Sequence, residues 1–221
     1  MDFIIDPAPQ GSQEWRDART AHFTASVAGD MLARTKTGPA ASRRNLCVKL
    51  ALERLIGRSL DAPFVSQAMA TGTEREPLAR AAYEAATGDL VTECGFLTEP
   101  SIPWVGASLD GYVGDFERLI SIKCRQPAAH WDFLCTGTVP ADALAQIRHE
   151  LWLVPQAKGT DYVCWNPDFP PTLQLRIVTM HRADADIPGY AEAAAAFLAE
   201  VEIEYQALRT MAEGITERTI P

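Results

Sequence analysis

The sequence predicts an α/β fold in which a mixed central β-sheet is flanked by helices. Up to about residue 88, apolar residues recur at helical spacing, as they do in Ser42–Ile56. From Leu90 onward the pattern changes to short segments rich in β-branched and aromatic residues, with turns between them. We therefore expect a single domain over residues 1–221, with a helical part at about 12–88, a sheet core at about 90–181 and a C-terminal helix at about 187–213.

Helices are indicated by apolar periodicity and by residues that begin or end a helix. Ser12 is a suitable N-cap for the first helix, and Gly57 and Gly88 are suitable ends for two later ones. The predicted helices are Ser12–Arg19, a short one from Thr24, Ser42–Ile56, Gly72–Thr87, Pro127–Cys135, Ala141–Val154 and Ile187–Met211.

Strands are indicated where β-branched and aromatic residues lie between turn signals. The predicted strands are Leu90–Thr98, Trp104–Val113, Leu119–Cys124, Asp161–Trp165 and Thr172–His181. Because the first three follow one another closely in the chain, we expect them to form a meander of neighbouring strands.

Cysteine usage and hydropathy indicate a cytoplasmic protein. The five cysteines form no CxxC motif, and they do not combine with the four histidines at a zinc-finger spacing. The first residues, MDFIIDPAPQGS, lack the basic and apolar regions of a signal peptide. No stretch approaches the roughly 18 uncharged apolar residues that a membrane span requires. We therefore expect reduced, mostly buried thiols and no membrane association.

The charge of the chain is distributed unevenly. The net charge of −9 by itself disfavours nucleic-acid binding, since a DNA-binding face needs cations. However, Arg34–Arg58 holds seven cations and one acid, Glu53, whereas Asp184–Glu217 holds eight acids and one cation, Arg209. Two interpretations are open: one end faces DNA while the other is solvated or meets a partner, or both runs are charged helix surfaces.

Two residues near the centre of the chain have the chemistry of a phosphodiesterase. Asp110 lies at the end of one predicted strand, and Lys123 lies in the next, two residues after Ser121 and therefore on the same face. A carboxylate can hold Mg²⁺, which lowers the pKa of bound water, and a lysine can orient or help to deprotonate that water. The alternative is that Asp110-Gly111 is only a hairpin turn and Lys123 a surface lysine.

Five short patterns, in order along the chain, resemble the lambda-type (YqaJ-like) alkaline exonuclease family of the PD-(D/E)xK nuclease superfamily. They are Trp15, Arg19 and Thr24-Ala25-Ser26; Gly72-Thr-Glu-Arg-Glu76; Ser108-Leu-Asp110-Gly111; Ile122-Lys123-Cys124; and Gln146 with Trp152. The resemblance implies a restriction-endonuclease-like nuclease core.

The resemblance also implies a role for each matching position. Lys123, Asp110 and Glu76 would be catalytic, and Asp110 and the backbone carbonyl of Ile122 would bind Mg²⁺, with Mn²⁺ as an alternative. The four positions that match the family's binding site for the 5′-phosphate of DNA are Arg19, Ser26, Ser108 and Gln146. Arginine offers forked donors to phosphate oxygens, and the other three add neutral donors.

Ser121 departs from the pattern, because the family carries a metal-binding glutamate at this position. A serine hydroxyl is a poor, neutral ligand for Mg²⁺. Three explanations are open: the protein is inactive, Asp115 or Glu117 substitutes, or the acid has moved to Glu150. We favour Glu150 as a catalytic and metal-binding residue, because it lies four residues after Gln146 and hence on the same helix face.

The resemblance implies a Mg²⁺-dependent 5′→3′ exonuclease on double-stranded DNA that releases 5′-mononucleotides and leaves 3′ overhangs. It further implies a homotrimeric ring, action at duplex DNA ends and cooperation with a single-strand annealing protein in phage-type homologous recombination. Two alternatives remain: a DNA-end-binding module that has lost catalysis through Ser121, and an endonuclease of the same superfold.

Overall fold

The computed structural model describes residues 3–61 and 67–216. The predicted helices are found there, with ends that differ by a few residues, except at Thr24. That residue ends a two-residue strand, and a 3₁₀ turn, Ala25–Val27, leads into the next helix. The helices are α1 Gln13–Ala18, α2 Ala28–Leu32, α3 Ala41–Ile56, α4 Gln67–Thr87, α5 Pro127–Thr136, α6 Ala141–Leu153 and α7 Ile187–Thr216.

The strands form two four-stranded sheets and one small hairpin. The strands are β1 Ile4–Asp6, β2 Phe23–Thr24, β3 Arg34–Thr35, β4 Gly38–Pro39, β5 Phe96–Thr98, β6 Val105–Ser108, β7 Gly111–Val113, β8 Arg118–Lys123, β9 Gly159–Trp165 and β10 Leu175–His181. The first sheet has the order β1-β5-β6-β2 and the second β10-β9-β8-β7, while β3 pairs with β4. Each four-stranded sheet contains one parallel pair, β2–β6 or β8–β9, so the predicted mixed α/β class is confirmed.

The prediction of one central sheet needs correction at residues 109–110. The predicted strand Trp104–Val113 is divided there: β6 pairs with β5 and β2, whereas β7 pairs with β8 of the other sheet. Leu109 is completely buried between the two halves. The chain therefore passes from one sheet to the other immediately beside Asp110.

Strand β8 lies at the centre of the second sheet and has two different faces. Ile120 and Ile122 pack in one apolar cluster with Ala79 and Tyr83 of α4. Leu119 belongs instead to the main core, which includes residues of α6. Because side chains alternate along a strand, Ser121 and Lys123 share the face of Leu119, toward α6.

The basic and acidic runs of the sequence meet each other. Helices α3 and α7 lie side by side, and three ion pairs join them: Arg43–Glu200, Arg44–Glu204 and Arg54–Glu202. The acidic C-terminal helix therefore has an intramolecular partner, a possibility that neither interpretation of the charge pattern included. Arg34 and Lys36, on the β3–β4 hairpin, are exposed.

Two smaller predictions concern the thiols and the membrane. All five cysteines are free; Cys47, Cys94 and Cys164 are buried, Cys124 is half-buried and Cys135 is exposed. In residues 3–61 and 67–216, every helix is too short or too polar to cross a membrane.

Candidate active site

Asp110 and Lys123 converge at the start of the β7–β8 hairpin. The Asp110 Oδ2 atom accepts a hydrogen bond from the backbone N–H of Ile122 at 2.7 Å and one from Lys123 Nζ at 3.3 Å. The two side chains are 17% and 27% exposed, so both remain accessible from one side. The structure thus brings together the two residues on which the predicted chemistry depends.

Gly111 allows this arrangement because β7 passes very close to the segment before β5. A Cβ atom added to Gly111 would lie 2.3 Å from Val91 Cγ1, well inside van der Waals contact. Gly111 pairs with Ile120, which sets the register of the hairpin and places Asp110 beside the C-terminal end of β8. A side chain at position 111 would therefore displace Asp110 from Ile122 and Lys123.

Glu150 reaches the same region from α6 and is buried, with 1% exposure. Its Oε1 atom accepts a hydrogen bond from Gln146 Nε2 at 2.8 Å. Its Oε2 atom and the Oγ atom of Ser121 are both buried, and neither has a hydrogen-bond partner among the described residues. Burial, and then the negative charge of Asp110, raise the pKa of Glu150 to about 8.

Glu76 flanks Asp110 from α4. Its Oε1 atom accepts from Arg80 Nη2 at 2.9 Å, and the same nitrogen lies 3.4 Å from the backbone oxygen of Asp110. Burial and the negative charge of Asp110 raise the pKa of Glu76. Arg80, which also pairs with Glu93, was not identified from the sequence, although its position four residues after Glu76 is a signal for such a pair.

Lys123 is held as a cation by its acidic neighbours. Burial acts to lower its pKa, but the negative charges of Asp110 and then Glu150 outweigh burial, and the pKa is raised above its usual range. A protonated lysine can orient a water molecule and stabilise negative charge. It must lose its own proton before it can accept one.

The donor set fits a divalent cation. Mg²⁺ and Mn²⁺ prefer oxygen ligands, and Asp110 and Glu150 supply two carboxylates. The N–H and C=O groups of one strand residue point to the same neighbouring strand, so the carbonyl of Ile122 faces Asp110 as its N–H does. Among the described residues, no three His, Cys, Asp or Glu side chains form a ready-made cluster. A cation would provide a partner for the second Glu150 oxygen. It would also offset the burial and the repulsion from Asp110 that raise the pKa of Glu150.

Asp115 and Glu117 do not reach this site. Both lie in the turn beyond Val113 and Arg118, at the far end of the hairpin, and Glu117 pairs with Lys158. Arg118 and Lys123 are five residue steps apart along an extended strand, which is about 16 Å. The geometry therefore disfavours the alternative in which one of these acids substitutes for the missing glutamate at Ser121.

A second cluster gathers around Arg19. Its guanidinium donates to Ser108 Oγ at 2.8 Å and to Ser26 Oγ at 3.2 Å, and it lies 4.3 Å from the centre of the Trp15 ring. Trp15 Nε1 also donates to Ser108 Oγ at 2.9 Å. Burial lowers the pKa of Arg19, partly opposed by the charge of Asp61. The role of Trp15 was not predicted, although the residue belongs to the motif that carries the resemblance.

Gln146 lies on α6 and contacts the first cluster through Glu150. Helix α6 packs against the 3₁₀ turn that carries Ser26 and against β6, but the amide nitrogen of Gln146 donates to Glu150. Three of the four residues predicted to bind phosphate are thus joined by hydrogen bonds, and the fourth is bonded to a predicted metal ligand.

Comparisons with known proteins identify the family. Residues 14–162, more than half of the chain, match the model of the YqaJ-like viral recombinase domain. The chain belongs to this family. The match includes Arg19, Asp110, Lys123 and Glu150, so both clusters lie inside the family domain.

Solved structures agree with this family. An alkaline exonuclease (LHK-Exo) from Laribacter hongkongensis, also crystallised in complex with dAMP, is 35% identical; the match covers 92% of this chain and 100% of that one, with a TM-score of 0.82. A phage-related exonuclease from Haemophilus somnus, 12% identical, shares the fold, with 87% and 97% covered and a TM-score of 0.63. No curated protein sequence matches significantly.

These matches confirm the predicted resemblance to the lambda-type (YqaJ-like) exonucleases and the prediction that this recombinase-family chain is a deoxyribonuclease. They do not test the role of any single residue. The role of each site residue therefore remains a prediction. This applies to Asp110, Lys123, Glu76, Glu150, Ile122 and the Arg19 cluster.

The raised pKa of Glu150 predicts how the metal-free protein responds to pH. The pKa is about 8 in the folded chain and about 4.3 in an unfolded one. Folding therefore favours the protonated form of Glu150. The contribution of this group to the free energy of unfolding is full below about pH 4.3 and is lost as the pH rises through about 8. Glu150→Gln, which cannot ionise, should melt several degrees above the wild type at about pH 8.5 in a chelator, since each 1 kcal/mol shifts Tm by roughly 2–4 °C.

Thermal melts at two pH values check this expectation. The difference between Glu150→Gln and the wild type should shrink at about pH 5, and added Mn²⁺ should raise the Tm of the wild type only. A variant that is less stable than the wild type at about pH 8.5 without metal would show that the buried carboxylate is already satisfied by the protein.

Proposed function

We propose that this chain is a Mg²⁺-dependent exonuclease that degrades double-stranded DNA in the 5′→3′ direction, releasing 5′-mononucleotides and leaving 3′ overhangs. The observation that carries the proposal is the Asp110–Lys123 pair facing a buried Glu150 whose second oxygen has no partner among the described residues. Family membership supports nuclease action on DNA in recombination.

In this proposal, Asp110, Glu150 and the carbonyl of Ile122 hold the cation, with Mn²⁺ as an alternative to Mg²⁺. When bound, the cation would neutralise phosphate charge and lower the pKa of a nearby water molecule. Lys123 orients that water, and the geometry provides a reason: its ammonium group is already fixed by Asp110 at 3.3 Å. Glu76, held by Arg80, adds a carboxylate on the opposite side of Asp110.

The Arg19 cluster supports the 5′→3′ direction. Ser108 and Asp110 are two residues apart, which is about 7 Å of extended chain, a spacing compatible with neighbouring phosphates of one DNA strand. A 5′-phosphate bound by Arg19, Ser26 and Ser108 would place the next phosphodiester at Asp110. The Laribacter exonuclease binds dAMP, a deoxynucleoside monophosphate, which is the kind of product that this register predicts.

The family resemblance extends the proposal to a homotrimeric ring around duplex DNA and to a single-strand annealing protein as the partner in recombination. A ring accounts for DNA binding by a chain of net charge −9, because cations can line the channel while acids face outward. The α3–α7 ion pairs neutralise part of the acidic surplus within the subunit.

A second candidate function is a DNA-end-binding module without catalysis. Ser121 favours it, because this position lacks the charge that the family uses for metal binding. The same Arg19 cluster would then hold a 5′-phosphate without cleavage of the next bond. The two candidates differ only in whether Glu150 replaces the missing glutamate.

Digestion assays separate the candidate functions. Incubated with Mg²⁺ and 5′-phosphorylated linear duplex DNA, the wild type should release mononucleotides. Lys123→Ala and Glu150→Ala should each lower the rate by roughly 10²-fold or more, because each removes a group from the reacting centre. Lys158→Ala and Glu117→Gln, at an exposed ion pair far along the hairpin, are the matched controls and should keep full activity.

Three results would point elsewhere. Binding of DNA ends without cleavage supports the end-binding module, and cutting of closed circular DNA supports an endonuclease. Full activity of Glu150→Ala contradicts the proposed migration of the metal-binding acid.

Arg19→Ala should selectively impair the use of 5′-phosphorylated ends. A lost charged hydrogen bond costs about 1.5–3 kcal/mol, so kcat/KM on phosphorylated duplexes should fall by roughly 10- to 100-fold, with a much smaller loss on 5′-hydroxyl duplexes. Arg16→Ala, one turn away and bonded to the exposed backbone of Gly11, is the control. An equal loss on both kinds of end would count against a phosphate site at Arg19.

A further inference from the structure

Glu53 is a buried acid outside the clusters described above. It lies in α3, is 3% exposed, and uses both carboxylate oxygens for hydrogen bonds. Oε2 accepts from the backbone N–H of Ala21 at 3.0 Å, and Oε1 accepts from the backbone N–H of Leu60 at 2.8 Å. One side chain therefore ties together two loops that are distant in sequence from each other.

The loop of Ala21 is the connection from α1 to β2, which carries Arg19 on one side and leads to Ser26 on the other. Ala21 has φ 62°, a left-handed conformation that is unfavourable for alanine. The N–H of His22 bonds back to the carbonyl of Arg19 at 3.1 Å. The turn is thus compact and strained, and it needs an external contact to keep its shape.

The loop of Leu60 forms the other wall of a pocket beside Arg19. This pocket, of about 470 Å³, is lined by Arg19 and Ser26 and also by Glu53, Ser59 and Asp61. Ser59 Oγ lies 3.4 Å from Glu53 Oε1. The Glu53 carboxylate therefore sets the distance between the two walls.

We propose that Glu53 is a positioning residue for recognition of the 5′-phosphate: by fixing Ala21 and Leu60 it holds the Arg19 guanidinium in line with Ser26 and Ser108. This inference rests on the proposed phosphate site at Arg19 and adds a residue that touches neither DNA nor metal. Glutamine has nearly the same shape as glutamate, but its NH₂ group cannot accept a hydrogen bond. Glu53→Gln must therefore lose one of the two backbone contacts.

The test measures kcat/KM of the full chain on duplexes that differ only in a 5′-phosphate or a 5′-hydroxyl end. Glu53→Gln should lower the ratio of the two values by about 3- to 10-fold, since misplacement of a binding group costs rate in this range or above. Glu99→Gln is the control: Glu99 is also a buried acid, 4% exposed, that accepts from a backbone N–H, that of Ser101 at 3.2 Å, but it lies at the end of β5 and away from the pocket. It should leave the ratio unchanged.

A second variant separates positioning from a general loss of stability. Glycine adopts a left-handed conformation without strain, so Ala21→Gly in the Glu53→Gln background should restore at least part of the ratio. If Glu53→Gln does not fold, the double variant is measured in its place and should still show a ratio below that of Ala21→Gly alone.

The possible results lead to different conclusions. If Arg19→Ala lowers the ratio but Glu53→Gln lowers both rates equally, Glu53 has only a structural role and this inference is overturned. If Arg19→Ala leaves the ratio unchanged, the phosphate site itself is wrong, whatever Glu53→Gln does. A reduced ratio in both variants, with Glu99→Gln unaffected, supports the positioning role.

Discussion

The hydrogen bond from the Ile122 N–H to Asp110 is the contact on which the candidate active site depends. It forms where the chain leaves one sheet and enters the other, so the two sheets meet at a carboxylate. The Asp110 side chain is thus held by a backbone group of β8, and its position does not rely on a flexible loop. Ser108 is the last residue of β6 and lies two residues before Asp110. The step of the chain from one sheet to the other therefore links the geometry of the Arg19 cluster to that of Asp110.

Glu150 is a carboxylic acid buried in the core, on the helix that packs against β8. Ser121 is buried as well, on the face of β8 that is directed toward α6. An ionised carboxylate in such surroundings is unfavourable unless a cation or a proton accompanies it, which is why the pKa of Glu150 rises to about 8. A cation bound at the proposed site would favour the ionised form of Glu150.

Local patterns in the sequence predict the helix ends well, because caps act over a few residues: Ser12 accepts from the Trp15 N–H, and Gly57 ends α3 in a left-handed conformation. Alternation along β8 likewise predicts that Ser121 and Lys123 share a face. The change of sheet at Leu109–Asp110 was not predictable, because it depends on distant partners, β5 and β2 for one half and β8 for the other. The pairing of Arg54 with Glu202 and the two-sided contacts of Glu53 also depend on elements far apart in sequence, which local periodicity does not encode.

The most direct test of the proposed metal site is a crystal structure of the protein soaked with Mn²⁺ at alkaline pH, with the ion located by its anomalous scattering. We predict one strong metal site. Its protein ligands are the carboxylates of Asp110 and Glu150 and the carbonyl of Ile122, with Lys123 close by and outside the coordination sphere. A cation bound by Asp110 while Glu150 keeps only its contact with Gln146, or an ion held elsewhere, would contradict this prediction.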